Sequence, residues 1–344
     1  MKIFINGVGR IGRHLVRQAI SDPLVDLVGV NDLNPSIENI CYMLKYDTHY
    51  GPMRQVSARG STINVEGKTI KYSNVEKVTH IDLREVDILI DCTGVSSHTE
   101  DIRALLSAGM IKKALITHCA PGVDFDLILG ANDHRYDNSL HHLISSSICD
   151  STALAPVLEV ISDTFGIESG FVTTLHPWLS YQNLTDGPSS SWSVPGTIHH
   201  HFALGRSAVG NLIPKPTSAI EACDRALPHR GYASLLGSFS IRVPTAVVGS
   251  ADLTVNTVKP IDVDSFERAI KDRQSATNWE IFSITREPIV SSDFLGNSAS
   301  ASVDFRWVSV VGGKCVKVVL WYDNEFGYAC RVLDQAKFIA GSLA

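Results

Sequence analysis

The chain has 344 residues, 44% of them hydrophobic, and a formal net charge of −6 with an isoelectric point near 6.1. That is enough apolar sequence for two ordinary cores, and the acidic balance argues against a general attraction to nucleic acid or anionic membrane. Seven cysteines, at 41, 92, 119, 149, 223, 315 and 330, are scattered without a C-x-x-C pair, which disfavours a disulfide framework or zinc knuckle and suits a reducing cytoplasm. The first residues pass from a short apolar run into glycines, unlike a secretory signal, and no stretch approaches the roughly 20 apolar residues of a membrane span.

Residues 2–6 read as a buried strand. Gly7-Val8-Gly9-Arg10-Ile11-Gly12 follows at once and leads into helical periodicity over 13–20, a G-x-G-x-x-G between strand and helix. Gly7 permits the tight turn, Gly9 lets the backbone approach a pyrophosphate, and Gly12 lets helix and strand pack, with phosphate resting on the helix N-terminus. A second strand, 25–30, ends in Asn31-Asp32. Asp32 is spaced to accept hydrogen bonds from ribose hydroxyls and would repel a 2′-phosphate, so the pattern predicts NAD over NADP. A strand at 87–91 ends at Cys92-Thr93-Gly94, a helix follows over about 100–108, and a strand at 113–117 runs out at Cys119-Ala120-Pro121. Carboxyl ends of strands open the ligand crevice of a doubly wound sheet, which makes Thr93 and Cys119 candidate cofactor neighbours, the alternative being that they only terminate their strands.

In Ser145-Ser146-Ser147-Ile148-Cys149 a cysteine follows serines able to cap a helix, and 155–165 carries apolar residues at helical spacing. Cys149 is therefore expected at a helix N-terminus, where orphan N–H groups and the dipole lower a thiol's pKa. A strand at 170–175 ends in His176, placed to reach across to such a terminus; a hydrogen-bonded core histidine is the plainer reading of a lone His. The stretch 180–201, rich in Gly, Ser and Pro, is long enough to be functional or interfacial. His199-His200-His201 within it has diverging side chains and no neighbouring ligand cluster, so no metal is expected. Strands at 238–243, 250–258, 302–311 and 314–321, with helices at 218–226 and 264–272, suggest an antiparallel or mixed sheet, and an amphipathic helix closes the chain near 339.

These pieces, in this order, resemble the phosphorylating glyceraldehyde-3-phosphate dehydrogenase family over essentially the whole chain. The likeness rests on Ile5 to Arg13, Val30-Asn31-Asp32, Cys92-Thr93-Gly94-Val95, Cys149 with Leu154-Ala155-Pro156, Thr173-Thr174-Leu175-His176, Arg242-Val243-Pro244-Thr245, and Trp321 to Tyr328. It implies an α/β protein: an NAD-binding Rossmann domain at 1–148 completed by the C-terminal helix 325–344, and an α+β catalytic domain at 149–324 with a mixed or antiparallel sheet. It also implies a cytoplasmic homotetramer with a small-molecule aldehyde substrate and no nucleic-acid or membrane partner. On this resemblance Cys149 attacks the aldehyde, His176 is the base, and inorganic phosphate attacks the resulting thioester. NAD would meet Asn6, Gly7, Gly9, Arg10, Ile11, Asp32, Thr93, Cys119, Asn324 and Tyr328. Arg206, Thr217 and Arg242 would face phosphate groups.

The sequence departs from the family at the nucleophile. Members usually carry Ser-Cys-Thr-Thr-Asn-Cys, and this chain has Ile148-Cys149-Asp150-Ser151-Thr152-Ala153. Two hydroxyls near inorganic phosphate become a hydrocarbon and an anion. Asp150, kept among the substrate-site residues, is expected to repel phosphate and to disfavour a neighbouring thiolate. Leu179 and Tyr181 replace a hydroxyl and a carboxylate that hold the substrate's own phosphate. The expected activity is NAD-dependent oxidation of glyceraldehyde 3-phosphate or a related short hydroxyaldehyde, with an impaired inorganic-phosphate site and release of the thioester by water or another acceptor. The alternative is a catalytically weak NAD-binding regulatory or interaction protein on the same fold.

Overall fold

The computed structural model describes residues 1–190 and 198–341. The middle of the expected long loop, residues 191–197 with Trp192, Pro195 and Gly196, and the last three residues of the expected terminal helix lie outside the described residues. Two units divide the chain: Met1–Leu127 with Arg135–Ser147 and Ala329–Ala344, and Ile128–His134 with Ile148–Tyr328. The short excursion 128–134 joins the second unit for packing reasons. Gly130, at φ +81°, leaves the space where Ile281 sits, and Asn132 Nδ2 donates to the Ala226 carbonyl at 2.9 Å.

In the first unit nine strands form one sheet, in the order Val56–Arg59, Thr62–Val65, Lys68–Ser73, Asp26–Asn31, Lys2–Asn6, Ile88–Asp91, Lys113–Ile116, Leu143–Ser145, Phe125–Asp126. From Lys68–Ser73 onward every pairing is parallel. The central strands are continuous apolar runs: Ile3, Ile5, Ile88, Leu89 and Ile90 are fully buried, as parallel strands covered on both faces require. The order reverses at Lys2–Asn6, which opens a crevice at the carboxyl ends of that strand and its neighbours. The helix Arg10–Ser21 leaves this edge directly from the glycine loop.

The second unit holds an eight-stranded mixed sheet. Its main path runs Ile213–Lys215, Leu236–Val243, Ile167–Pro177, Gly249–Thr257, Cys315–Tyr322, Ala301–Asp304, Phe282–Thr285, and Ser309–Val311 also pairs with Cys315–Tyr322. Ile167–Pro177 is parallel to Leu236–Val243 and antiparallel to Gly249–Thr257. The strand expected over 302–311 is two strands joined by a turn at Phe305–Trp307, where Trp307 N–H bonds back to the Asp304 carbonyl at 3.0 Å.

The helix Cys149–Thr164 starts six residues before the apolar periodicity does. Pro156 inside it removes one backbone bond, to the Thr152 carbonyl, a loss that would break an isolated helix. Here every residue from Asp150 to Ile161 is buried, so packing, more than propensity, holds the helix. Arg230 adds a bidentate pair to buried Glu159 at 2.8 and 2.9 Å. Among the described residues no helix is long and apolar enough to cross a membrane.

Candidate active site

Cys149 is the first residue of its helix, but the serines do not cap it. The N-cap is Ile148, whose side chain accepts nothing, and Ser151 closes the turn by accepting from the Ile148 N–H at 3.2 Å. Ser145 and Ser146 are instead buried in the first unit, donating to the carbonyls of His118 and Ile116 at 3.0 and 3.1 Å. Ser147 turns the chain with φ +60°.

The sheet of the second unit supplies a row of side chains beneath that terminus. His176 is paired in parallel register with Arg242, so their side chains share a face. Lys215 pairs with Ser240, two residues from Arg242, which puts it on the same face. On the other side Leu175 pairs with Ser250, and Gly249 pairs with Tyr322. The next position in the row beside His176 is therefore Gly249, which has no side chain. A Cβ there would meet Tyr322 Cε2 and Cζ at 2.7 Å, so glycine makes room for the tyrosine ring.

Three groups converge on one another. Cys149 Sγ lies 3.6 Å from His176 Nε2 and 3.7 Å from Asp150 Oδ1. Asp150 Oδ1 is 3.9 Å from His176 Nε2 and accepts a 2.7 Å hydrogen bond from the Tyr322 hydroxyl. His176 Nδ1 is 2.8 Å from the Pro177 carbonyl, which can only accept, so Nδ1 carries the proton and Nε2 presents a lone pair to the thiol. Burial, with Arg242 adding to it, holds His176 down to about 4, so the contact with Asp150 is not an ion pair at neutral pH.

The thiol departs from expectation. Burial first and the Asp150 carboxylate second push Cys149 well above its usual pKa, although Arg242 and the Asp150 N–H pull the other way. The helix terminus is outweighed where the thiol is partly buried and faces a carboxylate from its own first turn. The thiol therefore waits as S–H for a base. Burial, together with Asp150, also raises Tyr322, so it remains a donor. Burial lowers Lys215, and Arg242 adds to that effect. Arg242 is itself 7% exposed and its Nε has no hydrogen-bond partner among the described residues, which leaves a buried cationic donor beside the pair. No metal was expected, yet the donor atoms of Cys149, Asp150 and His176 lie within 4.8 Å of one another, a set that could also hold a borderline cation. The run His199-His200-His201 is not part of it.

The other residues singled out in the sequence of this unit behave differently from one another. Arg206 is mostly exposed and pairs with Asp186 at 2.9 Å. The Thr217 hydroxyl accepts from the Ala219 N–H at 3.2 Å. Asn324 is buried and its Oδ1 accepts from Val248 N–H at 3.0 Å, which fixes the amide and leaves its NH₂ as a donor. Tyr328 is buried. Tyr322 and Lys215 were not foreseen. Both depend on strand register, and the one local clue, a glycine opening a strand at Gly249, shows only that something approaches closely.

In the first unit the expected nucleotide residues lie along the carboxyl edge of the sheet. Asn6 ends its strand with Nδ2 bonded to Asp91 at 2.7 Å and Oδ1 accepting from Asn31 at 2.8 Å, so its side chain serves the sheet. Asp32 accepts from the Val8 N–H at 2.7 Å and the Asn34 N–H at 2.9 Å, tying the second strand to the glycine loop. Arg10 pairs with Asp47 at 2.6 Å. Thr93 donates to Asp91 at 3.0 Å and sits 3.0 Å from His98 Nδ1, and Cys119 follows the strand Lys113–Ile116.

The glycines test the fit of a dinucleotide. Gly7 needs its φ of +93°, and a Cβ on Gly12 would lie 1.9 Å from the Gly7 carbonyl. Gly9 has ordinary backbone angles, and a Cβ there would meet nothing within 4 Å. Nothing in the chain demands glycine at 9, and the open space beside it leaves room for a group to approach the backbone closely. The helix behind it has no side-chain cap and no acidic residue in its first turn, so its N-terminal dipole is not offset locally and suits an anion.

Residues 1–99 match the family described as glyceraldehyde 3-phosphate dehydrogenase, NAD binding domain, and residues 148–324 match glyceraldehyde 3-phosphate dehydrogenase, C-terminal domain. Glyceraldehyde-3-phosphate dehydrogenase of Geobacillus stearothermophilus is 35% identical over 343 residues, 99% of this chain and 98% of that protein. Glyceraldehyde-3-phosphate dehydrogenase 1 of Kluyveromyces marxianus is 35% identical over 344 residues, 99% of this chain and all of that protein. Glyceraldehyde-3-phosphate dehydrogenase 1 of Bacillus subtilis is 34% identical across 99% of this chain and 98% of that protein. With both domains matched and likeness running the full length, the chain belongs to the glyceraldehyde-3-phosphate dehydrogenase family, as a divergent member.

Proposed function

We propose that this protein is an NAD-dependent dehydrogenase that oxidises glyceraldehyde 3-phosphate or a related short hydroxyaldehyde through Cys149, with His176 as base. The observation that carries this reading is the 3.6 Å approach of Cys149 Sγ to an unprotonated His176 Nε2 at a helix N-terminus. His176 takes the thiol proton as sulfur attacks the aldehyde carbon, so the high thiol pKa is overcome during the attack and not before it. The same nitrogen returns that proton to the oxygen as the thiohemiacetal forms, and accepts the hydroxyl proton when the thiohemiacetal is oxidised to a thioester. NAD, when bound, would supply the hydride acceptor. Asn324, with its NH₂ free, would orient the nicotinamide amide, with Tyr328 near the ring, and Gly7 to Ile11, Asp32, Thr93 and Cys119 would line the rest of the cofactor.

Arg242 would hold the substrate's anionic group, with Lys215 on the same sheet face. Arg206 and Thr217 would contribute less, one being bonded to Asp186 and the other to its own turn. The division into nucleotide and catalytic domains, a homotetramer and a cytoplasmic location belong to the same reading. Its test is NADH formation from short hydroxyaldehydes with and without a phosphate ester; no NADH from any of them would overturn it. A second reading, an NAD-binding protein with weak catalysis, draws on the raised Cys149 thiol. It requires NAD affinity that is unaltered in Cys149→Ala and no hydride transfer.

A further inference from the structure

The Asp150 carboxylate stands against the sulfur that would carry the thioester, and the fold invests in keeping it there. Tyr322 donates to it at 2.7 Å, and Gly249 clears the space for the tyrosine ring. It is 6% exposed and neutralised by no cation within ion-pair distance among the described residues, His176 being unprotonated. An anion in this position opposes an anionic nucleophile and favours a neutral one. A carbonyl carbon bonded to Cys149 Sγ would lie one bond from that atom, and Oδ1 lies 3.7 Å from Sγ, which brings the carbon within the reach of one water held by the carboxylate.

We propose that Asp150 is the general base for hydrolysis of the thioester, which makes this protein a phosphate-independent dehydrogenase whose product is a carboxylate. The proposal rests on the aldehyde-oxidation reading above. Asp150 accepts a proton from water as the water oxygen bonds to the carbonyl carbon; the carbon–sulfur bond then breaks, and sulfur leaves as thiolate and is reprotonated. The acid forms and Asp150 returns its proton to solvent. Overall, aldehyde, NAD⁺ and water give carboxylate, NADH and two protons. Tyr322 is a positioning residue: its hydroxyl donates to Oδ1, the carboxylate oxygen 3.7 Å from the sulfur, and holds it there. The remaining charged or titratable groups around the carboxylate, among the described residues, are Cys149, His176, Arg242, Lys215 and Cys223.

The test uses the full chain with glyceraldehyde 3-phosphate and NAD⁺ in phosphate-free buffer containing ¹⁸O-water, following NADH by absorbance and the product by mass spectrometry. Sustained turnover is expected, with one ¹⁸O in each carboxylate and less than about a twofold change on adding inorganic phosphate. Asp150→Asn should retain a burst of one NADH per site while steady turnover falls at least about 50-fold. Tyr322→Phe should leave the burst rate unchanged and lower only the steady rate, a split that general loss of structure would not produce. A wild-type burst that stalls until phosphate is added would overturn the proposal and leave the dehydrogenase intact. So would undiminished phosphate-free turnover in Asp150→Asn. Absence of any burst in the wild type with glyceraldehyde 3-phosphate and with every other short hydroxyaldehyde tried would overturn the aldehyde-oxidation reading and this proposal with it.

Discussion

The glycine loop and the cysteine pocket solve the problem of holding a ligand in opposite ways. The loop is local: Gly7, Gly9 and Gly12 lie within six residues, and each can be assigned a task from its own backbone and surroundings. The pocket is not. Cys149 and Asp150 come from a helix terminus, His176, Arg242 and Lys215 from three strands, and Tyr322 from a fourth. A local site keeps its geometry as long as its turn forms, whereas a site assembled across strands shifts with register and packing. The first should tolerate distant change and the second should not.

The severest way to break the pocket is to remove its nucleophile. Cys149→Ser should abolish NADH formation by about 10⁴-fold or more while leaving NAD binding measurable by fluorescence titration, since the residues proposed for the cofactor lie elsewhere. His176→Asn should lower the burst rate about 10²- to 10⁴-fold. Because the wild-type imidazole stays unprotonated down to about 4, the burst should hold its rate through pH 6 and fall only on approach to pH 4. An acid limb near 6.5 would mean a solvated histidine and a different pocket.

The contrast itself is sharpened by three glycine variants. Gly249→Ala touches no proposed reactant but must displace the Tyr322 ring, and should cost about tenfold in steady turnover. Gly9→Ala should weaken NAD about tenfold, or about 1.4 kcal/mol, with the melting temperature unchanged, because its Cβ points into open space. Gly12→Ala should do the reverse and lower the melting temperature, since its Cβ collides with a backbone carbonyl. The smallest effect is electrostatic. The Asp150 charge raises the Cys149 pKa, so Asp150→Asn should lower it and speed iodoacetamide alkylation at pH 7.5 about threefold.

The two regions also differ in how legible they were. The loop could be read because glycine spacing, a preceding apolar run and a following helical period are all short-range signals. Cys149 and His176 were found from residue type and position at element ends. The serines before Cys149 misled, because a capping residue can equally be spent elsewhere: Ser145 ends a strand of the first unit's sheet, and both Ser145 and Ser146 donate to backbone carbonyls there. The helix start was missed for a related reason. Asp150 to Ala153 have little helical pattern of their own, and burial on all sides decides their conformation.

What the sequence by itself determined is the chemistry available: a dinucleotide loop, a cysteine, a histidine and an aspartate where the family has a hydroxyl. Those follow from residue identity and from periodicities a few residues long. Only the tertiary structure decided the state of that chemistry. Strand register put Tyr322 on Asp150 and Arg242 beside His176, and burial reversed the expected drop in the Cys149 pKa. Desolvation and cross-strand neighbours are properties of the folded chain, and no short-range pattern encodes them.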